Sequence, residues 1–367
     1  KPFTSTNQRN RAWLEVNHKN IELNTCKVKE ILAKGCLLMA VVKADGYGHG
    51  AVTVAKAAIK GGANQLGVAT LQEGIELREA GIKYPILVLG NLIDIEELKV
   101  CLHWNLMPTL SDTREANLCE EIAKNKNQVF AVHLKFDTGM SRLGCSTKEA
   151  PRLINFVANT RHLDLVGLYS HLALADKEES KNSKSFTNKQ IEEFRKIILK
   201  VPSNSVCFHL ANSAGTLLNK KIHYDMVRIG LAIYGYSPLK DRNNILKLKP
   251  ALTVKAKITL IRDVAKGVGV SYGHEFITER PSRLAVVSIG YADGINRSLS
   301  GKISVICNGQ LFPQVGAITM DQMLIDITNS AGIEIGNVVT LLGNEGKQEV
   351  SANEWGALSG LIPWEIL

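Results

Sequence analysis

The sequence has no apolar run long enough to cross a membrane. Its longest, Cys36 to Val42, falls well short of the ~18 residues that a spanning helix needs. The first ten residues, Lys1 to Asn10, are polar and have no apolar core of the kind that marks a secretory signal. None of the seven cysteines forms a C-x-x-C pair, and they lie far apart in an odd number. That excludes a disulfide framework and a zinc knuckle as organising devices, calls for no metal, and points to free thiols in a reducing cytoplasm. There is also no tight basic run with interleaved aromatics, so the net charge of +9 lacks the footprint of a nucleic-acid binder. A diffuse basic excess suits a small anionic ligand.

What is present is an ordinary globular composition, 45% apolar and 22% charged over 367 residues, enough for two domains. From Leu37 to Gly235, short Val/Ile/Leu-rich runs alternate with helical patterns. The expected strands are Leu37–Lys43, Leu66–Thr70, Ile86–Gly90, Met107–Leu110, Phe130–Phe136, Leu165–His171, Val206–His209 and Met226–Gly230. Runs this apolar suit parallel strands covered on both faces. Between them Ala51–Lys60, Leu71–Ala80, Asp112–Lys124 and Thr187–Leu199 read as helices, and Ser111–Glu115 as a capped helix start. Eight β-then-α units in about 200 residues predict an α/β fold, a closed (β/α)8 TIM-type barrel rather than an open sheet. After Tyr236 the rhythm changes. A polar linker, Ser237 to Lys249, leads to Ala251–Val264, Arg283–Tyr291, Ile303–Cys307, Gln314–Ile327 and Val338–Leu342, strand-like segments without long helices between them. The expected organisation is a barrel over 17–240 and a mostly β domain over 241–367, with the early alternation around 11–16 a candidate to join the latter.

Barrels of this kind carry their chemistry at the C-terminal ends of the strands and in the loops that follow. Reading those positions gives Lys43, Arg142, His171, His209, Ser213 and Arg228. Lys43 closes an apolar run and precedes Ala44-Asp45-Gly46-Tyr47-Gly48-His49-Gly50. Desolvation at an apolar wall disfavours an ammonium and leaves a nucleophilic amine, able to join an aldehyde cofactor. Alone, a strand-end lysine is more often a snorkelling surface group; the glycines beside it permit a close approach to the backbone. Ser213 and Gly230 follow the last two strands, where barrels commonly hold phosphate, although a lone serine there is more often a helix cap. A lone His171 would be structural. Four such groups at strand ends, with the motif at Lys43, read together as a site.

On these motifs the chain resembles the alanine racemase family across nearly its whole length. The segment Ala40 to Gly50 is similar to that family's cofactor-attachment motif. Asp137-Thr138-Gly139-Met140-Ser141-Arg142-Leu143-Gly144, His209 with Ala211 to Ala214, Val227-Arg228 with Gly230, Ser271-Tyr272-Gly273, Gly290 to Gly294 and Met320-Asp321-Gln322 follow in order. The resemblance implies a barrel followed by a β domain, and interconversion of L- and D-alanine to supply D-alanine for peptidoglycan. It implies that Lys43 holds pyridoxal 5'-phosphate as an aldimine and acts as one base, with Tyr272 of the partner in a homodimer as the other. Tyr47, Ser213, Gly230 and Leu231 would hold the phosphate, and Asn212 would belong to the cofactor-binding set. Arg142 would lie near the phenolic oxygen and the substrate carboxylate, with Met320, Tyr291 and Asp321 near the substrate. Arg228 would face the pyridine nitrogen, with His171 and His209 beside it, and Lys135 matches a position that some members carbamylate. Ile229, Thr319, Ala317 and Trp364 depart from the usual Pro, Cys, Arg and Tyr. The last two leave open a broad-specificity or serine-type amino-acid racemase. A small single-domain cofactor carrier would lack Tyr272 and Met320, and a decarboxylase on this fold would arrange its second base differently.

Overall fold

The computed structural model describes residues 11–177, 181–201, 205–239 and 246–367; the expected domain boundary at 240–241 lies outside the described residues. Its contacts form two compact units, His18–Lys249 and a second made by the residues up to Asn17 with Pro250–Leu367. Among the described residues no helix is long and apolar enough to cross a membrane.

Strand β1 (Ala12–Val16) belongs to the second unit. The first unit contains β2 (Leu37–Val41), β3 (Gln65–Val68), β4 (Ile86–Val88), β5 (Met107–Leu110), β6 (Phe130–Asp137), a two-residue β7 (Cys145–Ser146) beside β6, then β8 (Leu163–Tyr169), β9 (Cys207–His209) and β10 (Met226–Ile229). The main strands pair in parallel in the order β10-β2-β3-β4-β5-β6-β8-β9. No ladder joins β9 to β10. Two backbone bonds bridge that seam instead, Asp225 N–H to Phe208 O at 3.0 Å and Arg228 N–H to Ala211 O at 2.9 Å. The fold is the expected parallel barrel, nearly closed.

Side chains alternate across each strand, and this places an apolar layer beneath a polar one. Met39, Leu87, Tyr169 and Met226 pack together with Leu89, Met107 and Cys207. Lys43, His209 and Arg228 lie an even number of residues beyond Met39, Cys207 and Met226, towards the C-terminal ends of their strands. Helices take their starts from local side chains. The Asp112 carboxylate accepts from Glu115 N at 2.8 Å before the helix Thr113–Lys126, and left-handed Asn127 ends it. The helix Ala51–Lys60 occupies its expected span, whereas the one expected from Thr187 begins earlier, at Lys181.

The second unit is antiparallel. It contains β11 (Leu252–Val264), the hairpin β12 (Gly269–Val270) and β13 (Phe276–Ile277), β14 (Ser282–Val287), β15 (Ser304–Cys307), β16 (Gln310–Val315), β17 (Met323–Asp326), β18 (Val338–Glu345) and β19 (Gln348–Val350). Because β11 pairs with both β14 and β18, six strands close on themselves in the order β11-β14-β17-β16-β15-β18. Strand β1 pairs with β11 from Ala12↔Ala256 to Val16↔Leu252. The stretch Gln314–Ile327, expected to be one strand, is two. Gly316 turns at φ +68°, and Thr319 N–H and Oγ1 both donate to Gln322 O at 2.9 Å, closing a turn that a continuous strand cannot contain.

One close approach in the barrel is sharp enough to test. Gly167 lies opposite His133 in register, and a Cβ at Gly167 would come within 2.2 Å of the His133 ring. Gly167→Ala is expected to cost about 2 kcal/mol by overpacking. That corresponds to roughly 4–8 °C in thermal midpoint for a unit of this size, readable by calorimetry. An unshifted midpoint would mean that the ring has room to move.

Candidate active site

Lys43 sits just past β2, half-buried. The strand stops short of its expected end because the chain turns left-handed at once. The φ values of Ala44, Asp45, Gly46, Tyr47 and Gly48 are +50°, +49°, +61°, +53° and +75°. Each non-glycine residue held this way costs ~1–2 kcal/mol, so something must hold the turn. Glu73 accepts from Ala44 N at 2.7 Å with one oxygen and from Ala69 N at 2.6 Å with the other. Asp45 accepts from Ala51 N at 2.8 Å. His49 Nδ1 donates to Tyr47 O at 2.7 Å, and the rings of Tyr47 and His49 both pack on buried Tyr234.

This turn brings Tyr47 to the loops after β9 and β10. A Cβ at Gly230 would lie 2.8 Å from the Tyr47 hydroxyl, so glycine leaves the backbone open beside that oxygen. Gly230 N–H donates to Ser213 Oγ at 3.1 Å. Ser213 opens the short helix Ser213–Leu218, capped by Asn212, whose side chain accepts from Gly215 N at 2.9 Å. Leu231, next in the chain after Gly230, is buried. Tyr47, Ser213 and Gly230 are thus brought together, with Asn212 capping the helix that Ser213 opens.

Arg228 is buried at the seam. One guanidinium nitrogen donates to His209 Nδ1 at 3.0 Å and His209 O at 2.9 Å. The other donates to Ser170 O at 2.7 Å, Leu210 O at 3.1 Å and His171 Nδ1 at 3.1 Å. Burial lowers its pKa to about 10, which leaves it charged at neutral pH. Arginine only donates, so both imidazoles accept through Nδ1 and each carries its proton on Nε2. Burial first, then the Arg228 charge, holds His171 and His209 well below the ordinary histidine range. His209 stacks on Tyr169 at 4.7 Å, and Tyr169 in turn bonds Thr109 Oγ1 at 2.8 Å.

Lys135 is buried, its ammonium 5.4 Å over the Tyr169 ring. Burial, followed by the charges of Arg228 and Arg142, lowers its pKa to about 8. Arg142 itself is exposed on a loop organised by Asp137, whose Oδ1 accepts from the backbone N–H of Gly139, Met140 and Ser141 at 2.8–3.1 Å. Buried Gln190 ties that region to the next: it donates to His171 O at 3.1 Å and to Thr138 Oγ1 at 3.4 Å. The charges of Arg228, Lys135, Arg142 and Lys43 all act on His171. The mouth of the barrel is therefore a cationic site.

In the second unit, Tyr272 is 73% exposed, Met320 53% and Tyr291 42%. Tyr272 begins a tight turn after Ser271, whose hydroxyl donates to Ala317 O at 2.7 Å. Tyr291 N–H donates to Thr319 O at 2.9 Å and Ala292 N–H to Met320 O at 3.0 Å, so the Tyr291 and Met320 loops form one body. Exposed Asp321 joins it through its carbonyl, which accepts from Arg11 at 3.3 Å.

Reading strand ends missed His133, Tyr169, Glu73 and Gln190. The strand parity offered a signal for the first two: His133 and Lys135 share a face, and Tyr169 shares one with His171. Locally Glu73 reads only as the capping-box partner of Thr70; its bond to Ala44, and those of Gln190 to Thr138 and His171, join segments distant in the chain.

The chain matches the family description "Alanine racemase, N-terminal domain" over residues 16–238 and "Alanine racemase, C-terminal domain" over 251–367. Alanine racemase of Prochlorococcus marinus is 59% identical over 368 residues, covering 100% of this chain and 95% of that protein. That of Nostoc sp. is 45% identical, covering 97% and 93%. Among solved structures, alanine racemase from Streptomyces lavendulae superposes with a TM-score of 0.91 at 33% identity, covering 98% and 94%. The Bartonella henselae enzyme, with covalently bound pyridoxal phosphate, does so with 0.86 at 29%, covering 98% and 96%. These likenesses define the class as a racemase, an isomerase built from a parallel barrel and an antiparallel β unit. Within that class, the chain belongs to the alanine racemase family.

The Lys135 environment makes a pH prediction. Folded protein releases this proton near pH 8, before the unfolded chain does. From there up to the ordinary lysine range, this group alone makes stability rise with pH. Nitrogen-15 lysine NMR in carbon-dioxide-free buffer is expected to show one amine titrating about pH 8, moving upward in Arg142→Gln as a neighbouring cation is lost. An ordinary titration at Lys135 would contradict the burial argument.

Proposed function

We propose that this chain interconverts L- and D-alanine by a two-base transfer of the α-proton, with pyridoxal 5'-phosphate as cofactor, in a homodimer whose subunits share active sites. One observation carries the reading: four cations, Lys43, Lys135, Arg142 and Arg228, act together on one imidazole at the mouth of the barrel. A phosphate and a carboxylate are the ligands such a field favours. The fit to the cofactor rests on the open backbone at Gly230 beside the Tyr47 hydroxyl, with Ser213 next to it.

Lys43 would hold the cofactor, and Tyr47, Ser213, Gly230 and Leu231 its phosphate, with Asn212 in the cofactor-binding set. Arg228, with His209 behind it, would meet the ring nitrogen as a donor that keeps its proton. Arg142 would bind the substrate carboxylate, and a carbamate on Lys135 would orient Arg142; the amine lowered to about 8 is the form that takes up carbon dioxide. When bound, pyridoxal phosphate supplies the electron-accepting ring that makes the α-proton acidic.

The proton chemistry falls to the chain's own residues. A single base returns the proton to the face it left, so racemisation requires one on each face. Lys43 would serve one face and Tyr272 of the partner subunit the other. A free tyrosine titrates at ~10, so it needs help near neutral pH. His171 is suited to give it: with Nδ1 occupied by Arg228, its Nε2–H donates forward and stabilises a phenolate, with the guanidinium charge behind. We assign cofactor binding to the barrel unit, and to the β unit the presentation of Tyr272, Met320, Tyr291 and Asp321 to the partner's substrate. We place the reaction in the cytoplasm, where it supplies D-alanine for peptidoglycan.

Proton NMR with L-alanine in deuterated water, with chiral analysis of the product, tests the reaction. Loss of the α-proton signal with D-alanine formation is expected. Exchange with serine but not with alanine would transfer the assignment to a serine-type racemase, which Ala317 makes the natural alternative. Subunit sharing is tested by mixing inactive Lys43→Ala and Tyr272→Ala chains. One site in each hybrid dimer is then intact, and activity should return to about a quarter of wild type at equal mixing. No recovery despite subunit exchange would place both bases in one chain.

A further inference from the structure

We propose that His133 is the positioning residue that sets the proton order of this site, by accepting the Nε2 proton of His209 and so reserving the His209 Nδ1 lone pair for Arg228. Four groups lie in one hydrogen-bonded line across the barrel: His133, His209, Arg228 and His171. His133 Nδ1 is 3.0 Å from His209 Nε2, and His209 Nδ1 is 3.0 Å from Arg228. The direction of each bond follows from the one member that cannot accept. Arg228 donates to His209 Nδ1, so a neutral His209 carries its proton on Nε2. That proton points at His133 Nδ1, which must therefore be the acceptor. The reverse tautomer of His209 would set two N–H groups against each other beside Arg228, at a ring with no surface open to solvent.

The surroundings are built for an imidazole at this position. His133 is buried and fits because the residue opposite it is Gly167, where any Cβ would come within 2.2 Å of its ring. Its ring meets that of His209 edge-on at 5.1 Å. His209 is itself held flat on Tyr169, at 4.7 Å and 12°. Burial, and then the Arg228 charge, lowers the His133 pKa to about 3, so it stays neutral and its Nδ1 stays an acceptor. Removing that acceptor leaves a buried N–H on His209 unpaired. His209 is then free to turn its proton towards Arg228 and break the bond that aims the guanidinium. At the other end Arg228 fixes His171 with Nε2–H forward, so a disturbance at His133 reaches the base pair through Arg228.

The tautomer order stands on geometry alone, whereas its effect on turnover rests on the racemase mechanism proposed above, and the experiment separates the two. Holoenzyme with nitrogen-15 histidine is examined by long-range proton–nitrogen correlation, His209 being assigned by the signals lost in His209→Gln. Wild type is expected to show His209 as the Nε2–H tautomer throughout the neutral range. His133→Leu should shift His209 to Nδ1–H or a mixture and lower kcat about tenfold, the usual scale for an orphaned buried donor. KM should change much less. His133→Asn, which keeps an acceptor oxygen near the Nδ1 position, should restore both the tautomer and most of kcat. A wild-type His209 protonated on Nδ1 would overturn the proposal. So would a folded His133→Leu with an unaltered His209 pattern and kcat, or an Asn variant as damaged as the Leu one. If His133→Leu does not fold, the wild-type tautomer and the Asn variant decide. If the tautomers behave as expected but wild type racemises no amino acid, the positioning role stands and the proposed reaction fails.

Discussion

The structure of the barrel mouth depends on one buried charge, Arg228, that makes no ion pair among the described residues. Placing a guanidinium in the interior carries a desolvation penalty of several kcal/mol unless its donors find acceptors. Arg228 finds them in three carbonyls, Ser170, His209 and Leu210, and in two imidazole nitrogens. The carbonyls lie at the ends of β8 and β9, beside the seam where no ladder joins β9 to β10. The side chain thus reinforces the two backbone bonds that bridge this seam. Among the described residues its charge is solvated by dipoles and not paired with a carboxylate, so it remains available to the site. Burial first, and this charge second, keep the histidines neutral and lower the lysine at 135.

The same economy of negative charge recurs nearby. Glu73 and Asp137 are both close to the mouth, yet their oxygens are taken up by backbone N–H groups: Ala44, Ala69 and Thr70 for one, Gly139, Met140 and Ser141 for the other. Each carboxylate stabilises a loop whose backbone is otherwise unfavourable. The left-handed run after Lys43 is the clearer case, since alanine, aspartate and tyrosine are all held at positive φ. Strain of this kind persists only where surrounding structure over-determines it. Here it aims Lys43 and brings the Tyr47 hydroxyl to Gly230, so the loop's conformational cost is tied to the cationic site it completes.

Much of the fold was legible because parallel strands covered on both faces need uninterrupted apolar residues, and β2 and β4 have nothing else. The strand ends then indicated where to look for Lys43, His171, His209 and Arg228. The reading failed where a local pattern and a tertiary turn disagreed. Apolar alternation runs through Gln314–Ile327, but Gly316 and the Thr319–Gln322 bonds fold it back into two strands. Likewise the apolar run reaching Lys43 does not announce that the chain reverses hand at Ala44, because the carboxylate that holds it belongs to the helix Leu71–Glu79, beyond Ala51–Lys60 and β3.

The sequence by itself determined the class of fold, the family, and the residue types available at each strand end. These follow from periodicity and from motifs that are contiguous in the chain. Only the tertiary structure decided what those residues are chemically. Whether a histidine is neutral, which of its nitrogens carries the proton, and whether a lysine is lowered all depend on burial and on charges brought from other strands. His133 and Gly167 make the point: they are distant in the chain, unremarkable singly, and each required by the other once β6 and β8 align. Hydrogen-bond direction is a property of pairs, and the pairs exist only after the barrel has closed.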